Sequence, residues 1–194
     1  MKIFVVTHDP SGKLIAEAGG DSSILRPGEP VFIPEPLDGW KSSVAPAVRI
    51  ARLGTCLKAS LARRYYTSLC AMHVLRPTDD NTAAAGLPPY MLDRTFSPGE
   101  WIDISDKNAD DRMTMNVLRT GIGSTESMTD ANASFSIDSL AIDRTIERLS
   151  QLITFKTGDI IVFADHAVNL DSPVVDTAVS ADLNAAPSLS IRIK

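Results

Sequence analysis

Apolar and polar residues alternate in short runs along most of this chain, and turn-forming residues separate the runs. Alternation with a period of two is typical of β-strands that bury one face. The pattern predicts strands over residues 2–6, 13–18, 31–34, 44–52, 68–75, 100–104, 113–119, 159–163, 174–181 and 188–193. The chain is therefore expected to consist mainly of strands.

Two segments instead repeat apolar residues at helical spacing. The first predicts a short helix through Leu57, Leu61, Ala62 and Tyr65. The second predicts a longer helix, with Ser136 as its N-cap and Asp138 in its first turn. Its apolar positions are Ile137, Leu140, Ala141, Ile146, Leu149 and Leu152. Residues 81–89 and 106–112 are small or polar and are expected to be exposed connections.

The length and composition favour one domain over residues 1–194, with 44% hydrophobic and 22% charged residues. A chain of this size buries roughly 70% of its unfolded surface, enough for one core. The formal net charge is -5, so the chain offers no basic field for nucleic acid.

The two cysteines and the apolar runs indicate the cellular compartment in which the protein is expected. Cys56 and Cys70 have neither the number nor the spacing of a disulfide framework or a zinc site, and we expect both to be buried packing thiols. No apolar run reaches the length of a membrane span, and residues 2–6 are too short for a signal-peptide core. These features predict a cytoplasmic protein that binds no membrane.

Several segments together resemble the catalytic domain of the fumarylacetoacetate hydrolase family. They are residues 23–34, 48–54 and 62–66 in the first half of the chain, and 135–140, 153–161 and 189–194 in the second. Their order and spacing match the family from about residue 20 to residue 194. They are mostly scaffold positions, which specify a fold better than a reaction.

The resemblance implies a mixed, mainly β (α+β) fold, a β-roll or sandwich with two or three helices, commonly dimeric. It also implies one Mg²⁺ or Mn²⁺, held by a Glu-x-Glu pair and an Asp, in enzymes that hydrolyse or decarboxylate oxo and diketo acids. Residues 1–20 would be a reduced N-terminal region that lacks the family's lid helix.

The chain departs from the family at the positions that carry the chemistry. Counting along the motifs puts the three metal-binding carboxylates at Ser43, Ala45 and Val74. The family's active-site Lys falls on Arg94, and its Thr-Gly-Thr-Pro loop falls on residues 163–166. Mg²⁺ depends on carboxylates for both ligands and countercharge, so no metal cofactor is expected.

Two functions follow from these departures. The first is a non-catalytic protein of this fold, or one repurposed to bind a small organic acid through the Arg94 guanidinium, with Asp165 as its countercharge. The alternative for Arg94 is a surface position after Pro88 and Pro89, where it pairs with Asp93 or solvent. The second is a divergent hydrolase or decarboxylase acting on C–C bonds of oxo or diketo acids, for which Mg²⁺ or Mn²⁺ would be needed. A homodimer is expected in either case, since an assembly of short strands leaves open edges.

The three histidines are the remaining candidates for chemistry. His8, Asp165 and His166 follow predicted strands, where a repurposed general base would sit. Three imidazoles could also bind Zn²⁺, but strand alternation turns His73 away from its neighbour Val74. The sequence therefore leaves open whether the histidines converge.

Overall fold

The computed structural model describes residues 1–34, 39–78, 88–107, 111–136 and 138–194, which form two β-sheets and two short α-helices. The strands are β1 Lys2–His8, β2 Leu14–Gly20, β3 Trp40–Ile50, β4 Tyr66–Pro77, β5 Phe96–Pro98, β6 Ile102–Asp103, β7 Arg112–Gly121, β8 Ser127–Ser136, β9 Ile160–Phe163, β10 Val168–Asn169, β11 Thr177–Leu183 and β12 Ala186–Ile193. The helices are α1 Ala59–Ala62 and α2 Ile142–Ser150. Single 3-10 turns cover residues 21–23, 63–65, 138–140 and 164–166. The predicted mainly β fold class is confirmed.

The large sheet has the strand order β2-β1-β9-β3-β4-β5, with β10 beside β3 and β6 beside β4. β1 and β9 are parallel, and the other pairs are antiparallel. The C-terminal ends of β1, β4 and β9 therefore meet the N-terminal ends of β3 and β5 at one edge, which we call the site end.

The segment after β2 connects the two outer strands of this sheet. Ile24 forms a parallel bridge with Phe96 of β5, and the Leu25 N–H donates to the Phe96 carbonyl at 2.7 Å. A Cβ on Gly19 would lie 2.5 Å from the Tyr90 carbonyl oxygen. The close approach of these segments therefore requires a residue without a side chain at position 19.

The large sheet packs different clusters on its two faces. The main-core face carries Val44, Val48, Leu69 and Leu75, which pack with α2 and the small sheet β12-β11-β7-β8 in one cluster. The opposite, small-cluster face buries a second group, which consists of Ile3, Val5, Ala45, Ala47, Cys70, Met72, Val74, Tyr90, Phe96, Ile160 and Val162. Burial on both faces explains the nearly continuous apolar runs of the central strands.

Several predicted boundaries are wrong. The second helix begins at Ile142, because Ala141 has a left-handed backbone (φ 47°) that separates it from the 3-10 turn 138–140. Ser136 ends β8 and is not its N-cap. Residues 31–34 form only an isolated bridge between Val31 and Ile193. The sequence also missed β8, whose Ser, Ala, Asn and Asp residues have low strand propensity.

The predicted connections lie partly outside the described residues, at 81–87 and 108–110, as does Ile137. Of the described helices, the longest has nine residues, and none is long and apolar enough for a membrane crossing.

Candidate functional site

The three positions predicted to correspond to the family's metal ligands lie together on the small-cluster face. Ser43 and Val74 are directly paired between β3 and β4, and Ala45 is two residues from Ser43, so alternation puts all three side chains on this face. Val74 is 5% exposed and Ala45 is 1% exposed, while Ser43 is half-buried. No other register of β3 and β4 supplies a ligand set, because neither strand contains an Asp or Glu.

These residues do not fit a hard divalent ion. Mg²⁺ and Mn²⁺ bind carboxylate, carbonyl and water oxygens, whereas the matched positions offer one hydroxyl and two aliphatic side chains. Among the described residues, no group of three His, Cys, Asp or Glu side chains is close enough together to hold a metal ion.

Two basic residues lie beside these positions on the small-cluster face. Lys41 and Arg76 are paired, two residues beyond Ser43 and Val74 toward the site end. The Arg76 guanidinium lies 5.8 Å from the centroid of the Tyr90 ring, which packs against Phe96. The sequence analysis did not predict Lys41 and Arg76 as site residues. Strand alternation would have indicated them, because each is two residues from Ser43 or Val74 and is therefore on the same face.

Tyr90 covers this part of the small-cluster face. Its ring centroid is 5.6 Å from that of Phe96, and the residue is 6% exposed. Burial raises the pKa of the Tyr90 hydroxyl, on which the charges of Arg76 and Glu17 act in opposite directions. The hydroxyl is therefore a neutral hydrogen-bonding group at neutral pH.

Arg94 is an exposed residue of the loop before β5. Its backbone is left-handed (φ 58°), and its N–H donates to the Ser22 carbonyl at 3.0 Å. Phe96, two residues after Arg94, begins β5 and pairs with Val74. Arg94 therefore lies at the site end. Its assignment as an acid ligand stays a prediction.

The structure pairs two of the predicted candidates, His8 and Asp165. The His8 Nδ1 atom is 2.7 Å from Asp165 Oδ2, and the His8 backbone N–H donates to Asp165 Oδ1 at 3.2 Å. The side chains are 36% and 37% exposed. Alternation along β1 puts His8 with Phe4 and Val6 on the main-core face, opposite to Ser43, Ala45 and Val74.

His73 faces away from Val74, as strand alternation predicts. It is completely buried on the main-core face, where its Nε2 atom lies 2.8 Å from Ser42 Oγ. Its Nδ1 atom has no hydrogen-bond partner among the described residues. Burial lowers the pKa of His73 to about 4, so the ring is neutral at neutral pH.

His166 directly follows Asp165, the partner of His8. It ends the 3-10 turn after β9, and its ring centroid is 6.1 Å from that of Phe135 in β8. His8 is exposed and His73 is fully buried, and among the described residues the three histidines form no group that could hold a metal ion.

The cysteines differ from each other. Cys70 is fully buried, and burial raises the pKa of its thiol, as expected for a packing residue. Cys56 is exposed, so the prediction that it is buried is wrong. A positive φ of 49° turns the chain there, between Gly54 and α1.

Solved structures share this architecture. Fumarylpyruvate hydrolase from Pseudomonas aeruginosa, in complex with Mn²⁺ and pyruvate, matches with a TM-score of 0.73 and 13% identity over 100% of this chain and 89% of that chain. 5-carboxymethyl-2-hydroxymuconate delta-isomerase from Mycobacterium smegmatis matches with a TM-score of 0.74 and 15% identity over 99% and 78% of the two chains. 2-hydroxyhepta-2,4-diene-1,7-dioate isomerase from Mycobacterium marinum matches with a TM-score of 0.76 and 16% identity over 99% of this chain and 73% of that chain.

No protein-family model matches the chain, and no curated protein matches it in sequence. The likeness to the solved structures nevertheless extends over essentially the whole chain. The chain therefore has the fumarylacetoacetate hydrolase fold.

Proposed function

We propose that this chain is a protein of the fumarylacetoacetate hydrolase fold that has lost metal-dependent catalysis and binds a small organic acid at the site end. One observation carries the proposal: β3 and β4 contain no Asp or Glu, so that no register of these strands supplies a metal ligand set. Even changes beside metal ligands commonly cost about 10- to 100-fold in affinity or activity, and here the ligand positions themselves are changed.

The basic residues support the acid-binding part of the proposal. Where a metal ion would hold the acid's oxygens, this face offers Lys41 and Arg76 in direct register, with Arg94 in the loop that leads into β5. A guanidinium can donate two parallel hydrogen bonds to one carboxylate. The acid would therefore be bound directly by cationic side chains.

A divergent hydrolase or decarboxylase acting on oxo or diketo acids is the second candidate function. The His8–Asp165 hydrogen bond favours it, because a carboxylate on Nδ1 orients an imidazole for general base catalysis. The name of the Pseudomonas aeruginosa protein, a fumarylpyruvate hydrolase, is also in keeping with it. Against it, His8 and the matched positions are on opposite faces of the large sheet.

Titration with Mg²⁺ or Mn²⁺ separates the two functions. We expect neither ion to change the unfolding temperature beyond the effect of equal ionic strength. A specific site at about 100 times its dissociation constant would stabilise the protein by roughly 2.7 kcal/mol. A saturable rise with either ion, measured by scanning calorimetry, would favour the hydrolase and contradict the loss of the metal site.

Replacing Arg94 by alanine tests the acid site. Because Arg94 is exposed, the free energy of unfolding is expected to change by less than about 0.5 kcal/mol. The affinity for pyruvate or oxalate, measured by calorimetric titration, is expected to fall about tenfold with the loss of a charge-assisted hydrogen bond. Arg64→Ala, an exposed arginine beside α1, is the matched control and is expected to keep the affinity.

The homodimer and the cytoplasmic location stay predictions. β8 pairs only with β7 among the described strands, so the small sheet has an open edge of the kind that a second copy could cover.

A further inference from the structure

A separate cavity of about 600 Å³ opens between α1 and the start of α2. Tyr66, at the beginning of β4, contributes to its wall. Val74 is eight residues farther along the same strand, roughly 26 Å away at about 3.3 Å per residue. The cavity is therefore distinct from the site end, and its volume is in the range of small-molecule sites.

Three cationic side chains line this cavity: Arg63, Lys107 and Arg144. None of them has a carboxylate within ion-pairing distance among the residues that the structure describes. Together with the two carboxylates of the lining, Asp138 and Asp143, they leave a formal net charge of +1, which favours a ligand with an anionic group.

The Arg63 guanidinium is fixed in the cavity wall. Its Nη2 atom donates to the Ile104 carbonyl and, at 3.1 Å, to the Lys107 carbonyl, and the group lies 4.9 Å from the centroid of the Tyr66 ring. Its Nη1 atom is buried and has no acceptor among the described residues. Because this atom is out of contact with solvent, the guanidinium contributes its positive charge to the cavity and no free hydrogen bond.

The cavity also contains hydrogen-bond acceptors. The Tyr66 hydroxyl donates to Asp143 Oδ1 at 2.9 Å. Burial raises the pKa of Tyr66 to about 12, which keeps this donor protonated. Asp138 lines the cavity and is exposed. The two carboxylates disfavour a purely anionic ligand and suit one that also carries hydroxyl donors.

We propose that this cavity binds a phosphorylated polyol, such as a sugar phosphate. Lys107 and Arg144 hold the phosphate beside the positive charge of Arg63, and the Asp138 and Asp143 carboxylates accept hydrogen bonds from the hydroxyl groups. α2 begins at this cavity without a side-chain hydrogen bond at its N-cap, so the helix dipole adds to the attraction for the phosphate.

Calorimetric titration with glucose 6-phosphate, inorganic phosphate and glucose at constant ionic strength tests the site. Glucose 6-phosphate is expected to bind saturably, inorganic phosphate more weakly, and glucose not measurably, because the phosphate supplies the charge-assisted contacts. Amide signals of residues 141–144 are expected to shift with the same saturation curve. Arg144→Gln is expected to weaken binding of glucose 6-phosphate about tenfold.

Arg148→Gln is the matched control, since it removes the same charge from α2 one turn later and lines a different cavity. It is expected to leave the affinity unchanged. The absence of saturable binding by glucose 6-phosphate, or equal losses with Arg144→Gln and Arg148→Gln, would overturn the proposal. These results are independent of acid binding at the site end, because none of the residues changed lies there.

Discussion

Replacing Asp159 by alanine is expected to lower the free energy of unfolding by roughly 3 to 4 kcal/mol, as two backbone donors lose their acceptor at the same time. Asp159 is 0% exposed. Its Oδ1 atom accepts from the Lys2 N–H and its Oδ2 atom from the Lys156 N–H, each at 2.8 Å. The Lys2 ammonium, 3.5 Å from Oδ2, adds little because its side chain is 37% exposed. The carboxylate thus ties β1 to the turn that leads into β9.

Urea denaturation at neutral pH measures this loss. Asp159→Asn keeps a carbonyl oxygen for one of the two N–H groups and is expected to cost less than Asp159→Ala. Asp165→Ala removes an exposed carboxylate that follows the same strand and is expected to cost at most about 1 kcal/mol. A loss below about 1 kcal/mol for Asp159→Ala would show that water replaces the carboxylate as acceptor.

Acidification is expected to destabilise the protein through His73. Its pKa is about 4 in the folded protein, whereas the ordinary value is 6.5. Between these two pH values the unfolded chain binds a proton at His73 that the folded chain does not, so stability falls as the pH falls from about 6.5 to about 4. The accumulated loss is about 3 kcal/mol, and below pH 4 the contribution is constant.

The His73→Gln variant isolates this effect. Gln does not titrate and can still reach Ser42, so the difference in unfolding free energy between wild type and variant should change by about 3 kcal/mol over the same pH range. His8→Gln, at an exposed histidine, controls for general effects of acid. Parallel pH profiles for wild type and His73→Gln would mean that His73 takes up its proton without unfolding.

Ser43, Val74 and His73 show how much of the side-chain arrangement strand alternation alone predicts. Given only that residues 43–45 and 73–74 are in strands, alternation separates His73 from Val74, and the structure confirms this. The alignment of Ser43 with Val74 required the pairing of β3 and β4, which sequence positions about 30 apart do not reveal. Only that pairing brings Lys41 and Arg76 side by side.

Contacts between residues far apart in the sequence depend on the tertiary structure. His8 and Asp165 are separated by 157 positions and meet because β1 and β9 are parallel neighbours. Asp159, at the start of the predicted strand 159–163, accepts a hydrogen bond from the Lys2 N–H of β1, which the strand pattern does not reveal. The cavity around Arg63 and Arg144 likewise exists only where α1 approaches α2.

The sequence by itself determined the mainly β class and the absence of Asp and Glu from residues 40–50 and 66–77, since both are properties of residue type and local period. It placed the second helix too early, because apolar spacing continues through Leu140 while the left-handed backbone of Ala141 divides the segment. Only the tertiary structure decided which faces and charges converge, because strand pairing and packing bring together residues that no local pattern relates.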